Sequence, residues 1–309
     1  MRLIKPSFSI WDQQEGLEGV YKQIEKVGRV CYKSEDKITE DSAKPFVERM
    51  VKSGHGAMLE HGTVYLKIPY GTMDDRGEFS NEPIVIKYID NPYSVVMNNS
   101  ENDYWYITSN YRVIIENEWI DDLQYLCEPT EFHAKRITVH FVCDRGVSHE
   151  FVRHRVFSFA QESTRYCNYS KDKFGNELTF ILPPWVDERQ LGEQNSQELL
   201  IQMGSLSNPT YTQEDLNELY FLFSLASSEV QYFNLINNGW KPQQARAVLP
   251  NSLKTELVVT GFASDWEHFF ELRDAGSAHP QARELAHPLH MEFLRRNYLV
   301  DLYDEVNPD

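Results

Sequence analysis

RHRVFSFAQESTRY, residues 153–166, is the stretch on which the reading of this chain turns. Arg153, His154 and Arg155 open it, and Ser163 and Arg165 stand near its end. Val152, Val156, Phe157 and Phe159 surround these polar groups with apolar surface. Upstream, ITVHFVC (137–143) reads as a strand, and Gly146 and Ser148 punctuate it, which predicts a helix starting just before the motif. On a helix, successive residues fan out at about 100° steps, so Arg153, His154 and Arg155 point to three different places. A bare Arg-His-Arg is also what a solvated basic patch looks like. Here the apolar neighbours hold it against a core. Ser163 adds a hydroxyl, and Arg165 adds a forked donor that matches phosphate geometry.

Composition narrows the choices. The 309 residues suffice for one large domain or two small ones. The net charge of -17, from 47 acids against 30 bases, argues against non-specific nucleic-acid binding. If anionic nucleotides bind, the arginines must be concentrated in one pocket, and the motif offers that concentration. Cys31, Cys127, Cys143 and Cys167 form no CxxC or zinc-finger spacing. No run of about 18 apolar residues occurs, so no membrane span is expected. MRLIKPSFSIWDQQEG lacks a long apolar segment and a cleavage site, so the expectation is a cytoplasmic protein with reduced thiols.

In chain order, apolar residues at helical spacing predict helices over 16–33 and about 42–53, the second ending at Gly54. Val64, Leu66 and Ile68 alternate with polar positions and predict a strand. His55, Glu60 and His61 stand just before it; the two histidines are six apart with no obvious third ligand, so no metal is expected. YWYITSNYRVIIEN (104–117) looks strand-like. A loop and a short strand ending at Pro183-Pro184 follow the motif, then a polar surface loop or short helix over 186–212. A long helix is predicted over about 213–238, its stripe running through Leu216, Leu219, Phe223, Ala226, Val230, Phe233 and Ile236. The short helix PQQARAVLP carries Arg246. TELVVTGF (255–262) reads as a strand, DWEHFFELR as a helix ending at Arg273, and the last helix as running from Pro280 to about Tyr298. Strands and helices do not alternate as a doubly wound sheet requires. The expected fold class is therefore α+β, an antiparallel sheet with packed helices.

The spaced pattern, Arg153-His154-Arg155, seven residues, then Ser163 with Arg165-Tyr166 following, resembles the signature of the flavin-dependent thymidylate synthases. Three more segments look like that family: the His55…Glu60-His61 block, ARAVLP around Arg246, and the helix ending at Arg273 with the turn DAGSA and His279. The resemblance touches most of 41–298 and implies a thymidylate synthase-complementing-protein-like fold in a single domain. Residues 70–135 are longer than in compact members, so an insertion packed on the core is expected there. The chain departs from the family at Ala57, where some members have a hydroxyl residue, and at Gln161, where many have an acid. It departs again at Glu150, where others have Gln, and at His268, near a frequent flavin-contacting Asn.

The resemblance implies conversion of dUMP to dTMP, with FAD as cofactor, 5,10-methylenetetrahydrofolate as carbon donor and NADPH as reductant. It implies a homotetramer with active sites between subunits. Glu150, Arg153, Gln161, Ser163, Arg165, Arg246 and Arg273 would bind dUMP. Arg165 and Ser163 would take the phosphate, while Arg246 and Arg273 would take the uracil end. Arg273 is the expected catalytic residue, because positive charge beside the ring favours its N3-deprotonated form and makes C5 electron-rich. Arg153, His154, Arg155, Gln161, His268 and His55 would face FAD. Two other readings stay open: an FAD-dependent NADPH oxidoreductase without methyl transfer, and a non-enzymatic nucleotide- or RNA-binding protein. Cys167, two residues after Arg165, is the tempting nucleophile, but the motif belongs to the type without a covalent enzyme adduct.

Overall fold

The computed structural model describes residues 1–99, 102–203 and 212–299. The strands are β1 (Arg2–Ile4), β2 (Ser7–Trp11), β3 (Thr63–Pro69), β4 (Val95–Asn98), β5 (Tyr104–Asn110), β6 (Arg136–Asp144), β7 (Ser158–Gln161), β8 (Thr179–Ile181), β9 (Gly192–Glu193) and β10 (Lys254–Phe262). The α-helices are α1 (Gly16–Tyr32), α2 (Ala43–Lys52), α3 (Gly56–Leu59), α4 (Glu82–Ile89), α5 (Tyr111–Glu116), α6 (Arg145–Phe151), α7 (Ser196–Met203), α8 (Gln213–Asn237), α9 (Pro242–Ala245), α10 (Ala263–Arg273) and α11 (Pro280–Arg295). The class is α+β, as expected.

The central sheet has the order β2-β6-β10-β7, antiparallel throughout. β6 pairs with β10 along nine residues, from Lys254 opposite Asp144 to Phe262 opposite Arg136. The alternation legible in the sequence sorts the two faces. Ile137, Val139, Phe141, Leu257 and Val259 bury against Trp266, Phe269 and Phe270 of α10 and Leu285, Leu289 and Phe293 of α11. Each such side chain contributes roughly 1.5–3 kcal/mol when fully buried. On the opposite face, Val27 and Val30 of α1 cover Ala160 and Val258. The sheet β3-β5-β4 packs with α1 and α2 into a second core, and β8-β1-β9, whose β1–β8 pair is parallel, lies under α8.

Three expectations are corrected. The motif is not helical: α6 ends at Phe151, Arg153-His154-Arg155 forms turns, and β7 begins at Ser158. Phe151 and Phe157 explain this, because both pack on the ring of Phe269. Six further helical residues would carry the chain about 9 Å along the axis, away from that anchor and from pairing with β10. YWYITSNYRVIIEN is a strand only to Asn110, whose side chain then accepts the Val113 N–H at 3.2 Å and caps α5. The buried stripe of α8 is rotated to Leu222, Leu225, Glu229 and Tyr232, although Phe223 and Ala226 are buried as well. Glu229 turns inward because its carboxylate accepts the Leu178 N–H at 2.8 Å and faces the Met1 ammonium at 3.0 Å. Within the stretch 186–212, expected as a surface loop or short helix, the structure has β9 and α7, and 204–211 lie outside the described residues.

Gly261 shows how tightly the motif is seated. A Cβ there would stand 2.1 Å from Cδ1 of Phe157. Gly261→Ala is therefore expected to destabilise by about 1–3 kcal/mol through overpacking. Urea titration measures this, and a midpoint equal to the parent's would show that Phe157 is free to move.

Candidate functional site

The site is built where β6 hands over to α6. Asp144, the last residue of β6, accepts the Val147 N–H at 2.8 Å and caps α6. One short helix later the chain reverses through bonds from Arg153 N to Glu150 O (3.3 Å) and from His154 N to Phe151 O (3.2 Å). These turns still send the three motif side chains to different places, as a helix would have done. His154 is buried, while Arg153 and Arg155 are exposed and make no ion pair or side-chain hydrogen bond with any described residue.

Arg273, at the end of α10, reaches into this reversal. Its Nε donates to His154 Nε2 at 3.1 Å, Nη1 to Glu150 Oε2 at 2.7 Å, and Nη2 to the Glu150 carbonyl at 2.9 Å. The guanidinium is 15% exposed and Glu150 29%. A guanidinium has five N–H donors, so one remains on each terminal nitrogen. Because arginine only donates, His154 Nε2 is the acceptor, which places the imidazole proton on Nδ1. Burial, then the nearby Arg273 and His268, pull the His154 pKa down to about 4, so the ring is neutral at pH 7. A 200 Å³ cleft lies directly against Glu150, with Asp144, Asn251, Ser252, His279 and Gln281 on its walls.

Of the sequence-derived residues, Glu150, His154 and Arg273 thus meet directly. His268 is exposed on α10, its ring 6.0 Å from that of His154, and pairs with Glu271. Gln161 ties β7 back to α6 by donating to Ser148 Oγ (2.8 Å) and Thr255 Oγ1 (3.2 Å). Ser163 and Arg165 lie in the loop beyond β7. The Ser163 amide bonds Cys31 O at 3.1 Å, and Arg165 Nε donates to Gln243 Oε1 at 3.4 Å. Gln243 is one turn before Arg246, which is exposed and unpaired among the described residues. Arg246 thus lies one turn from the residue that Arg165 contacts. His55 is exposed and makes no hydrogen bond, ion pair or ring contact with the others.

His61 belongs to the sheet: its Nδ1 meets Thr260 Oγ1 at 2.8 Å. Burial, then the Arg136 charge, pull its pKa down to about 3. No group of three or more His, Cys, Asp or Glu residues suited to a metal occurs among the described residues. Cys167 is 1% exposed, and burial, then Glu162, push its thiol up to about 12. That environment suits packing and not a thiolate nucleophile.

Sequence reading missed a buried charge network beneath Ser163. Lys254 contacts Glu162 at 2.8 Å, Lys33 contacts Glu256 at 2.8 Å, and His140 meets Glu256 at 2.9 Å. Burial alone would raise the Glu256 pKa, but His140, Lys254 and Lys33 together hold it well below the carboxylate range. The alternation of Lys254, Glu256 and Val258 along one face of β10 was the available signal. Nothing in the sequence told which strand would supply the partners.

Residues 86–296 match the family model for thymidylate synthase complementing proteins. The chain is 35% identical over 165 residues to a flavin-dependent thymidylate synthase of Mycobacterium avium, covering 53% of this chain and 57% of that one. A flavin-dependent thymidylate synthase of Corynebacterium aurimucosum is 25% identical over 279 residues, 89% of this chain and 76% of that protein. That relative apart, the chain spans about half the length of the curated relatives it matches. Among solved structures it resembles a UMP/dUMP methylase, PolB, from Streptomyces cacaoi bound with 5-Br dUMP. The TM-score there is 0.39 at 16% identity, over 96% of this chain and 93% of that one.

The two buried, neutral histidines set an acid limit on the fold. Their native pKa values of about 4 and about 3 lie below the 6.5 of an unperturbed histidine. Between pH 6.5 and 4 the unfolded chain therefore binds more protons than the native one, and stability falls as pH falls. Each group contributes a slope of about 1.4 kcal/mol per pH unit. Urea unfolding from pH 7.5 to 4.5 is expected to give a shallower slope for His154→Asn by about one proton. An unchanged slope would mean that His154 titrates normally.

Proposed function

The chain belongs to the thymidylate synthase complementing protein family, and we propose that it converts dUMP to dTMP as a flavin-dependent thymidylate synthase. In this reading FAD is the cofactor, 5,10-methylenetetrahydrofolate the carbon donor and NADPH the reductant. The observation that carries it is Arg273, held at three points with one N–H left on each terminal nitrogen. Such a fork suits the polar edge of a pyrimidine. Its charge, partly offset by Glu150, favours the deprotonated ring and so raises electron density at C5. Ser163, Arg165 and Arg246 are assigned to the nucleotide phosphate, Gln161 to holding the β7 end in place, and Arg153, Arg155, His55 and His268 to the flavin side.

The residues present fit an anionic flavin nucleotide: Arg153 and Arg155 are exposed cations without an acidic partner among the described residues. When bound, FAD supplies hydride chemistry. His154, neutral and buried, does not compete for the anion; it aims Arg273. We further propose a homotetramer in the cytoplasm. Val156, 66% exposed, and Tyr166, 55% exposed, flank the motif arginines and leave surface that a second copy covers. Residues 70–135 are proposed as an insertion that adds β4, β5 and α5 to the edge of the β3 sheet.

The test of the reading is dTMP formation from dUMP with methylenetetrahydrofolate, NADPH and FAD. Arg273→Ala is expected to lower kcat more than it raises the dUMP Kd, because its charge is used as the ring ionises. NADPH oxidation without dTMP would replace the proposal with a reductase, and a protein that takes up no flavin would remove it. Arg165→Ala is expected to weaken dUMP about thirtyfold by calorimetry, the loss of a charge-assisted phosphate contact costing about 2 kcal/mol. Unchanged affinity would show that Arg165 faces elsewhere.

A further inference from the structure

Arg273 is the last residue of α10, and the end of a helix frays unless something holds it. Trp266 and Phe270 pack on Phe293 and so join α10 to α11. Such apolar contact is non-directional and does not set how the last turn is rotated. The next residue, Asp274, supplies direction. Its carboxylate accepts from His287 Nδ1 at 2.9 Å and from His290 Nδ1 at 2.9 Å, and lies 3.6 Å from Arg283 Nε. Its carbonyl accepts from the same Arg283 Nε at 3.0 Å, and its amide donates to the Phe270 carbonyl at 2.9 Å. Because a carboxylate only accepts, both imidazoles carry a proton on Nδ1.

Arg283, His287 and His290 stand at i, i+4 and i+7 of α11, which puts them on one face of that helix. The carboxylate they surround is 14% exposed, less than any of the three. A carboxylate just past the C-terminus of a helix meets the negative end of its dipole. Asp274 therefore sits where α10 alone disfavours it, and the three donors of α11 offset that. His290 is held in turn by the Phe270 ring, on which it stacks at 4.4 Å and 11°. Arg273 is thus fixed at its guanidinium by Glu150 and His154, and along the backbone by the clamp on its neighbour.

We propose that Asp274 is a positioning residue for Arg273: by fastening the end of α10 to α11, it sets how the guanidinium reaches Glu150, His154 and the pyrimidine. The clamp stands on this geometry, and its effect on turnover rests on the proposed reaction. A displacement of about 1 Å at a reacting centre can cost about a hundredfold in rate.

One readout needs no reaction. On the ligand-free full chain at pH 7.5, nitrogen NMR follows His154 Nε2, assigned by its absence in His154→Asn. That atom accepts from Arg273 Nε, so Arg273→Ala marks the shift of the broken bond. Asp274→Ala is expected to move the resonance toward that position, and to move it no further in the Arg273→Ala background. The second readout is dTMP formation. Asp274→Ala is expected to lower kcat at least about tenfold and to change the dUMP Kd by less. In the Arg273→Ala background the same change is expected to lower kcat less than about twofold, since nothing is left to aim. His287→Ala, at a 52% exposed position, is expected to act in the same direction and more weakly. His287→Asn keeps an N–H donor near Nδ1 and is expected to recover part of the loss. Equal losses of kcat in both backgrounds would make Asp274 a general structural residue and overturn the proposal. A folded Asp274→Ala chain with the parent's His154 resonance would overturn it too. Should Asp274→Ala not fold, His287→Ala takes its place in both comparisons, with the same outcomes deciding. A parent chain that makes no dTMP counts against the proposed reaction, and the His154 resonance then decides the clamp alone.

Discussion

Arg273 reaches a turn 119 residues earlier in the chain and makes three hydrogen bonds there. That junction depends on two features on either side of it. The Phe151 and Phe157 anchors fold the motif back on itself, and the nine-residue pairing of β6 with β10 brings α10 alongside α6. Remove either and the guanidinium loses its partners. The pair is partly exposed, at 15% and 29%, so what breaking it costs is mainly the hydrogen bonds that aim the guanidinium. The rest of the site is arranged around that fixed point: Gln161 braces β7 against α6, and the loop carrying Ser163 and Arg165 is pinned through Cys31 and the charge network below it.

The chain is strongly acidic, yet its candidate site gathers arginines. The departures from the family pattern noted in the sequence have a physical consequence here. The amide at Gln161 donates to two hydroxyls, which a carboxylate could not do, and the carboxylate at Glu150 sits on Arg273. The site therefore holds one acid at the guanidinium and an amide at the last residue of β7, while Glu162 just beyond it is engaged by Lys254. Arg273 consequently presents a half-compensated donor fork, while Arg153, Arg155 and Arg246 make no ion pair with any described residue.

Much of this was legible in the sequence. Alternation in 137–143 and 255–262 gave both long strands, and the spacing of Trp266, Phe269 and Phe270 gave α10. The motif residues were identified by type and spacing. What was hidden depended on partners distant in sequence. Whether 153–155 is helix or turn is decided by a ring on α10, not by local propensity. The inward turn of Glu229 needs the Leu178 amide. The Asn110 cap converts a β-branched, aromatic run into a helix.

A crystal structure of the chain with dUMP tests the central claim most directly. Both terminal nitrogens of Arg273 are expected within hydrogen-bonding distance of the pyrimidine ring, with the bond from Nε to His154 retained. Electron density for dUMP away from Arg273, with the guanidinium still bonded only to Glu150 and His154, would contradict it.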